Sequence, residues 1–158
     1  MPHIHELIDF TSEVFIVHKN RVLLRMHDKF KFWLSVGGHI ELNEDPNEAA
    51  LREVKEEVGL DVKLHGEAHQ TEAAETGFKE LISPVYNCRM RISPTHEHVT
   101  FVYFATCESD NIVVGYESDR SDETRWFSFE ELSDPKYTLR PNVKFYAEQA
   151  LKILGSSN

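Results

Sequence analysis

Apolar and polar positions along the chain fall into two patterns, β-rich runs and helical repeats. Residues 10–18 (FTSEVFIVH) and 22–26 (VLLRM) are rich in β-branched and aromatic side chains and flank Lys19-Asn20-Arg21, a pattern that predicts a hairpin. Residues 32–36 predict a short strand, and 61–64, 81–92 and 98–106 (HVTFVYFAT) predict three more. Residues 112–114 and 124–127 carry weaker strand patterns. The pattern changes to a helical one in two places. Leu51, Val54 and Val58 recur at i, i+3 and i+7 and predict one apolar helix face. Asp45, Pro46 and Glu48 supply an N-cap, a proline at the first helical position and a capping-box acid, and Gly59 supplies a left-handed stop. Residues 129–132 predict a helical turn, and 142–154 place Val143, Ala147, Ala150, Leu151 and Leu154 at helical spacing. Many strands with two or three helices imply an α/β or α+β sandwich.

Length limits this to one domain. At 158 residues and 41% hydrophobic the chain can bury one core and is short for two. No repeat, low-complexity tract or linker divides it, which predicts a single domain over 1–154 and a disordered Gly-Ser-Ser-Asn tail at 155–158. Seventeen basic against twenty-seven acidic side chains give a formal charge of −10, which opposes general attraction to nucleic acid or anionic lipid. Two cysteines, Cys88 and Cys107, are too few for a disulfide scaffold and point to a reducing, cytoplasmic setting as small strand or core residues. Neither a signal-peptide pattern at the N-terminus nor a run of about 18 apolar residues is present, so a soluble, unexported protein is expected.

The charge is not spread evenly. At about 100° per residue, Glu53, Glu56 and Glu57 project from the side of their helix roughly opposite Leu51, Val54 and Val58. Glu53 and Glu57 are like-charged i,i+4 neighbours, which costs about 0.2–0.5 kcal/mol with no evident structural return. A divalent cation would turn that repulsion into shared attraction, because carboxylate oxygens suit hard Mg²⁺. Gly37 and Gly38 would let the preceding loop approach closely enough to add a backbone carbonyl.

These residues resemble the Nudix box, G-x5-E-x7-R-E-U-x-E-E-x-G-U with U aliphatic. Gly38, Glu44, Arg52, Glu53, Val54, Glu56, Glu57, Gly59 and Leu60 match every position. Seven fixed residues at fixed spacing arise by chance on the order of once in 10⁹ start positions. Val36 departs from the proline that many members carry before the glycine pair, which bears on the turn and leaves the ligands intact. The resemblance implies an α/β/α sandwich with a mixed central sheet. It also implies hydrolysis, with Mg²⁺ or Mn²⁺, of a nucleoside diphosphate linked to a further moiety. On this reading Glu56 and Glu57 are the principal metal ligands, joined by Glu53 and the Gly37 or Gly38 carbonyl. Arg52 orients the helix carboxylates, and Glu44 supports the loop or a metal-bound water. The general base in such proteins is either a box glutamate, here Glu53, or an acid from a later loop, here Glu117 or Glu123; Glu53 is favoured because its helix fixes it. The alternative is a non-catalytic scaffold that binds a nucleotide or a protein, whose mark would be lost box glutamates; none is lost.

Other features add little. His96 and His98 share a strand face and could suggest zinc, but two ligands without a third are usually not a site; His3 and His5 invite the same caution. Arg89 and Arg91 alternate on a strand and could hold phosphate, and Phe30, Phe32, Trp33 or Tyr86 could stack on a base, although the core is the commoner place for such aromatics. Marks of related subfamilies are missing. Glu75 and Thr76 stand near the offset where ADP-ribose-cleaving members often carry proline, the next proline being Pro84, and Phe78 is the aromatic nearest the tyrosine offset of dinucleoside polyphosphate hydrolases. A nucleoside triphosphate or related small nucleotide is the favoured substrate, and the assembly stays open between a monomer and a homodimer.

Overall fold

The computed structural model describes residues 7–27, 31–69, 77–113 and 123–155. Strand β1 (Ile8–His18) runs through the middle of a mixed sheet of eight strands. It pairs in parallel with β7 (His96–Cys107), from Ile8↔Glu97 to Val17↔Thr106. Its other edge is divided between two antiparallel partners. Beyond its turn at Lys19, β2 (Arg21–Met26) pairs at residues 17 and 18, whereas β4 (Val36–His39) pairs at residues 11–14. β2 goes on to pair with β3 (Trp33–Leu34) and β8 (Thr124–Phe127), while β5 (Val62–Leu64) and β6 (Tyr86–Ser93) share the far edge of β7.

Alternation along β1 sends its side chains into two cores, as the period of two requires. Val14 and Ile16 pack with Ala50, Val54 and Val58 of helix α1 (Pro46–Val58). Phe15 and Val17 pack with Val143, Ala147, Ala150 and Leu151 of helix α2 (Pro141–Leu154). One helix therefore lies against each face, an α/β sandwich as expected. Neither helix is long and apolar enough to cross a membrane.

Four expectations need correction. The buried face of α1 runs through Ala50, not Leu51, which is 43% exposed. Small residues win there because the helix lies close to the sheet: Ser12 Oγ donates to the Pro46 carbonyl at 2.8 Å. Residues 81–85 are outside the strand, which starts at Tyr86, and 32–36 divide into β3 and β4 around Ser35. Ile112 and Val113 form no strand; the Val113 N–H donates to the Val58 carbonyl instead, at the end of α1. Of the tail expected at 155–158, Gly155 donates its N–H to the Leu151 carbonyl and 156–158 lie outside the described residues.

Candidate active site

The site is built where α1 meets β4. Asp45 caps the helix as its sequence requires: its carboxylate accepts from the N–H groups of Asn47 and Glu48, and Glu48 accepts from the Asp45 N–H. Lys79 adds ion pairs to Asp45 (2.7 Å) and Glu48 (3.1 Å). Asn47 ties this end to the strands, donating to Tyr103 Oη and the Ile82 carbonyl and accepting from the Ile82 N–H. At the other end Gly59, at φ 68°, closes the helix through its N–H to the Lys55 carbonyl. These contacts fix where the glutamates between them project.

They do not all project into water. Glu53 is 7% exposed and the Glu57 side chain 11%, whereas Glu56 is 55% exposed. The helix face holding Glu53 and Glu57 is turned toward the two glycines. A methyl group at Gly38 would overlap the Glu53 carboxylate, and one at Gly37, whose φ is 153°, would overlap the Ser12 carbonyl oxygen. At Gly37, where the neighbour is backbone and φ is positive, only glycine allows this approach. Gly37 also donates its N–H to Glu57 Oε2 at 3.0 Å.

Two arginines offset the repulsion among the acids. Arg52 donates to both oxygens of Glu44 (2.6 and 2.9 Å), to Glu53 (2.8 Å), to Glu56 (3.0 Å) and to the His39 carbonyl (3.0 Å). Its hydrogen bonds to Glu44 hold that carboxyl below the usual range and raise the arginine's own pKa. Burial pushes Glu53 upward, opposed by Arg52. The second cation is Arg25 of β2, which reaches Glu57 Oε1 at 2.6 Å with both side chains largely buried. The like-charged spacing on α1 thus has a structural return that a helix-only reading misses.

Arg25 and Glu13 are the residues sequence reasoning overlooked. Glu13 lies on β1 opposite Gly37 and accepts from Ser35 Oγ at 3.0 Å. Burial raises its pKa, against the lowering influence of Ser35 and Arg25. Their signal was present: an acid beside the apolar run Val14–Val17 and a base beside the apolar run Val22–Leu24.

The remaining candidates fall elsewhere. Glu123 is exposed, and its carbonyl accepts from the Met26 N–H at 2.7 Å, beside the strand that carries Arg25. Glu117, Phe30, Glu75, Thr76, His3 and His5 lie outside the described residues. Arg89 and Arg91 both pair with Glu97. Trp33 and Tyr86 pack in or against the core, and Arg140 lies 3.6 Å over the Phe32 ring. His96 and His98 are not alone, as two expected ligands would be, because Asp9 and His39 join them.

Glu53 and Glu57 against the glycine strand, with Glu56 beside them at the solvent, offer the oxygen donors that Mg²⁺ or Mn²⁺ prefers. Comparison with known proteins agrees with the box. The model of the NUDIX domain matches residues 8–149. A Nudix-family hydrolase from Clostridium perfringens is 39% identical and superposes with a TM-score of 0.83, covering 92% of this chain and 97% of that one. A Caenorhabditis elegans Ap4A hydrolase, 17% identical, has a TM-score of 0.59 over 91% of this chain and 93% of its own. An ADP-ribose pyrophosphatase from Streptococcus suis, 18% identical, has a TM-score of 0.55 over 95% and 94%. The last two share the fold.

Proposed function

The chain belongs to the Nudix hydrolase family, and from that premise we propose that it is a metal-dependent pyrophosphohydrolase acting on a diphosphate linkage of a small nucleotide. A nucleoside triphosphate or a related nucleoside diphosphate derivative is the favoured substrate. One observation carries this reading: all the box acids are intact, and Arg52 gathers Glu44, Glu53 and Glu56 while Glu57 rests on the Gly37 N–H.

Glu53, Glu56, Glu57 and the carbonyl of Gly37 or Gly38 would hold Mg²⁺ or Mn²⁺. When bound, the metal neutralises charge on the diphosphate oxygens and lowers the pKa of the attacking water. The chain's own residues arrange the rest. Arg52 keeps three acids aligned without taking a proton, since guanidinium stays charged. Glu53, held against Gly38, is positioned to accept the proton that water loses as it attacks phosphorus in line. Burial pushes its pKa upward, and Arg52 opposes that shift. Glu57 is oriented from both sides, by Arg25 and by the Gly37 N–H.

A phosphate- and pyrophosphate-release screen over a nucleotide panel, with Mg²⁺ and with Mn²⁺, tests the function. Turnover of at least one nucleotide that disappears with EDTA is expected; metal-independent turnover, or none across the panel, contradicts it. The base is tested by pH–rate profiles at saturating metal. Glu53→Gln should remove the acidic limb and lower kcat, while Glu117→Gln and Glu123→Gln keep that limb. Loss of the limb in either loop variant, with Glu53→Gln retaining it, would move the base to the loop.

A further inference from the structure

Asp9 of β1, His39 at the end of β4, and His96 and His98 of β7 meet at one end of the sheet. Their register explains the meeting: Asp9 pairs with His98, His39 with Thr11 two residues along from Asp9, and His96 lies two residues from His98 on the same strand face. One ligand-type atom from each lies within 4.8 Å of the other three. His39 Nε2 and His96 Nε2 are each 3.3 Å from Asp9 Oδ2, and His98 Nε2 is 3.1 Å from His96 Nε2. The rings stand nearly perpendicular, with His98 5.0 Å by centroid from both His39 and His96.

Four ligand-type groups face one another here, and a cation at the centre would take a lone pair from each. The Asp9–His39, Asp9–His96 and His96–His98 separations suit one: ligand atoms about 2.0–2.1 Å from a tetrahedral Zn²⁺ stand about 3.3 Å apart. We propose that Asp9, His39, His96 and His98 form a second metal site, separate from the box, that takes a divalent transition metal of the zinc type. Three imidazoles and one carboxylate select against Mg²⁺ and Ca²⁺, which prefer all-oxygen shells. Asp9 is 3% exposed and supplies the one negative charge, and four protein ligands close the shell as structural zinc sites do. The metal ties β1, β4 and β7 together one residue beyond Gly38. The two sites touch through His39, whose ring enters this cluster while its carbonyl accepts from Arg52.

The test is zinc retention and thermal stability of the full chain, stripped with EDTA, reloaded with Zn²⁺ and desalted. The wild type should keep one Zn²⁺ per chain and, at a hundredfold excess over Kd, melt about 5–10 °C higher. Glu56→Gln/Glu57→Gln, altered in the box, should retain the zinc. His96→Ala/His98→Ala should bind at least about 100-fold more weakly, beyond the 10–100-fold typical of losing an outer hydrogen bond. If the double histidine variant does not fold, Co²⁺ in the wild type decides, since a tetrahedral site gives intense visible d–d bands. No retained Zn²⁺ in the wild type, no such bands, unchanged binding in a folded histidine variant, or loss of zinc with the box variant would each overturn the proposal.

Discussion

Glu57→Gln is expected to lower kcat by at least about 100-fold, equivalent to about 2.7 kcal/mol of transition-state stabilisation, on whichever nucleotide the wild type hydrolyses. Glutamine has the shape of glutamate, and its amide oxygen can still accept from Gly37 or Arg25, but it has no charge to share with a cation. It also leaves the Arg25 guanidinium beside a neutral partner, so a stability loss of about 1–3 kcal/mol should accompany the rate effect. Kinetics measured well below the variant's Tm separate the two. Activity within a few-fold of wild type would remove Glu57 from the catalytic machinery.

Arg25→Ala should have the largest effect on folding. Arg25 and Glu57 are 14% and 11% exposed in their side chains, so removing the arginine leaves a buried carboxylate without its counterion, with Glu13 close by. Breaking a buried pair in this way costs about 3–5 kcal/mol. A cation at the box can stand in for the lost charge. Mg²⁺ should therefore raise Tm in the wild type and raise it further in Arg25→Ala, because binding to the folded state stabilises by RT ln(1 + [L]/Kd) and a less neutralised site has the lower Kd. Urea unfolding measures the stability loss, and thermal melts with and without Mg²⁺ measure the shift. A loss below about 1 kcal/mol, or an equal Mg²⁺ shift in the two proteins, would mean that Arg25 does not neutralise Glu57.

Several features that the sequence indicated depend on neighbours within one or two turns. Asp45, Pro46, Glu48 and Gly59 set the limits of α1, since caps and left-handed stops act on backbone groups at most four residues away. The same locality made the box legible, because Arg52, Glu53, Glu56 and Glu57 sit on one helix at fixed angles. β-Branched and aromatic content placed β1, β2, β7 and β8 to within a few residues. It overextended β6 and added a strand at 112–114, because apolar content does not show whether an edge has a free partner to pair with.

What local pattern does not encode is which residues face each other across strands. Leu51 looked like core because it is large, but the close approach of α1 to the sheet favours Ala50 and leaves leucine outside. Arg25 becomes the counterion of Glu57 only because β2 and β4 divide one edge of β1. His96 and His98 were visible as a pair, yet Asp9 and His39 join them only through the registers of β1 with β7 and with β4. The sequence alone determined the helix, its acids and the family they mark, since those rest on short-range geometry repeated along one element. Tertiary structure decided which charges are neutralised and where a second set of ligands converges, because strand register brings together residues that are distant in the chain.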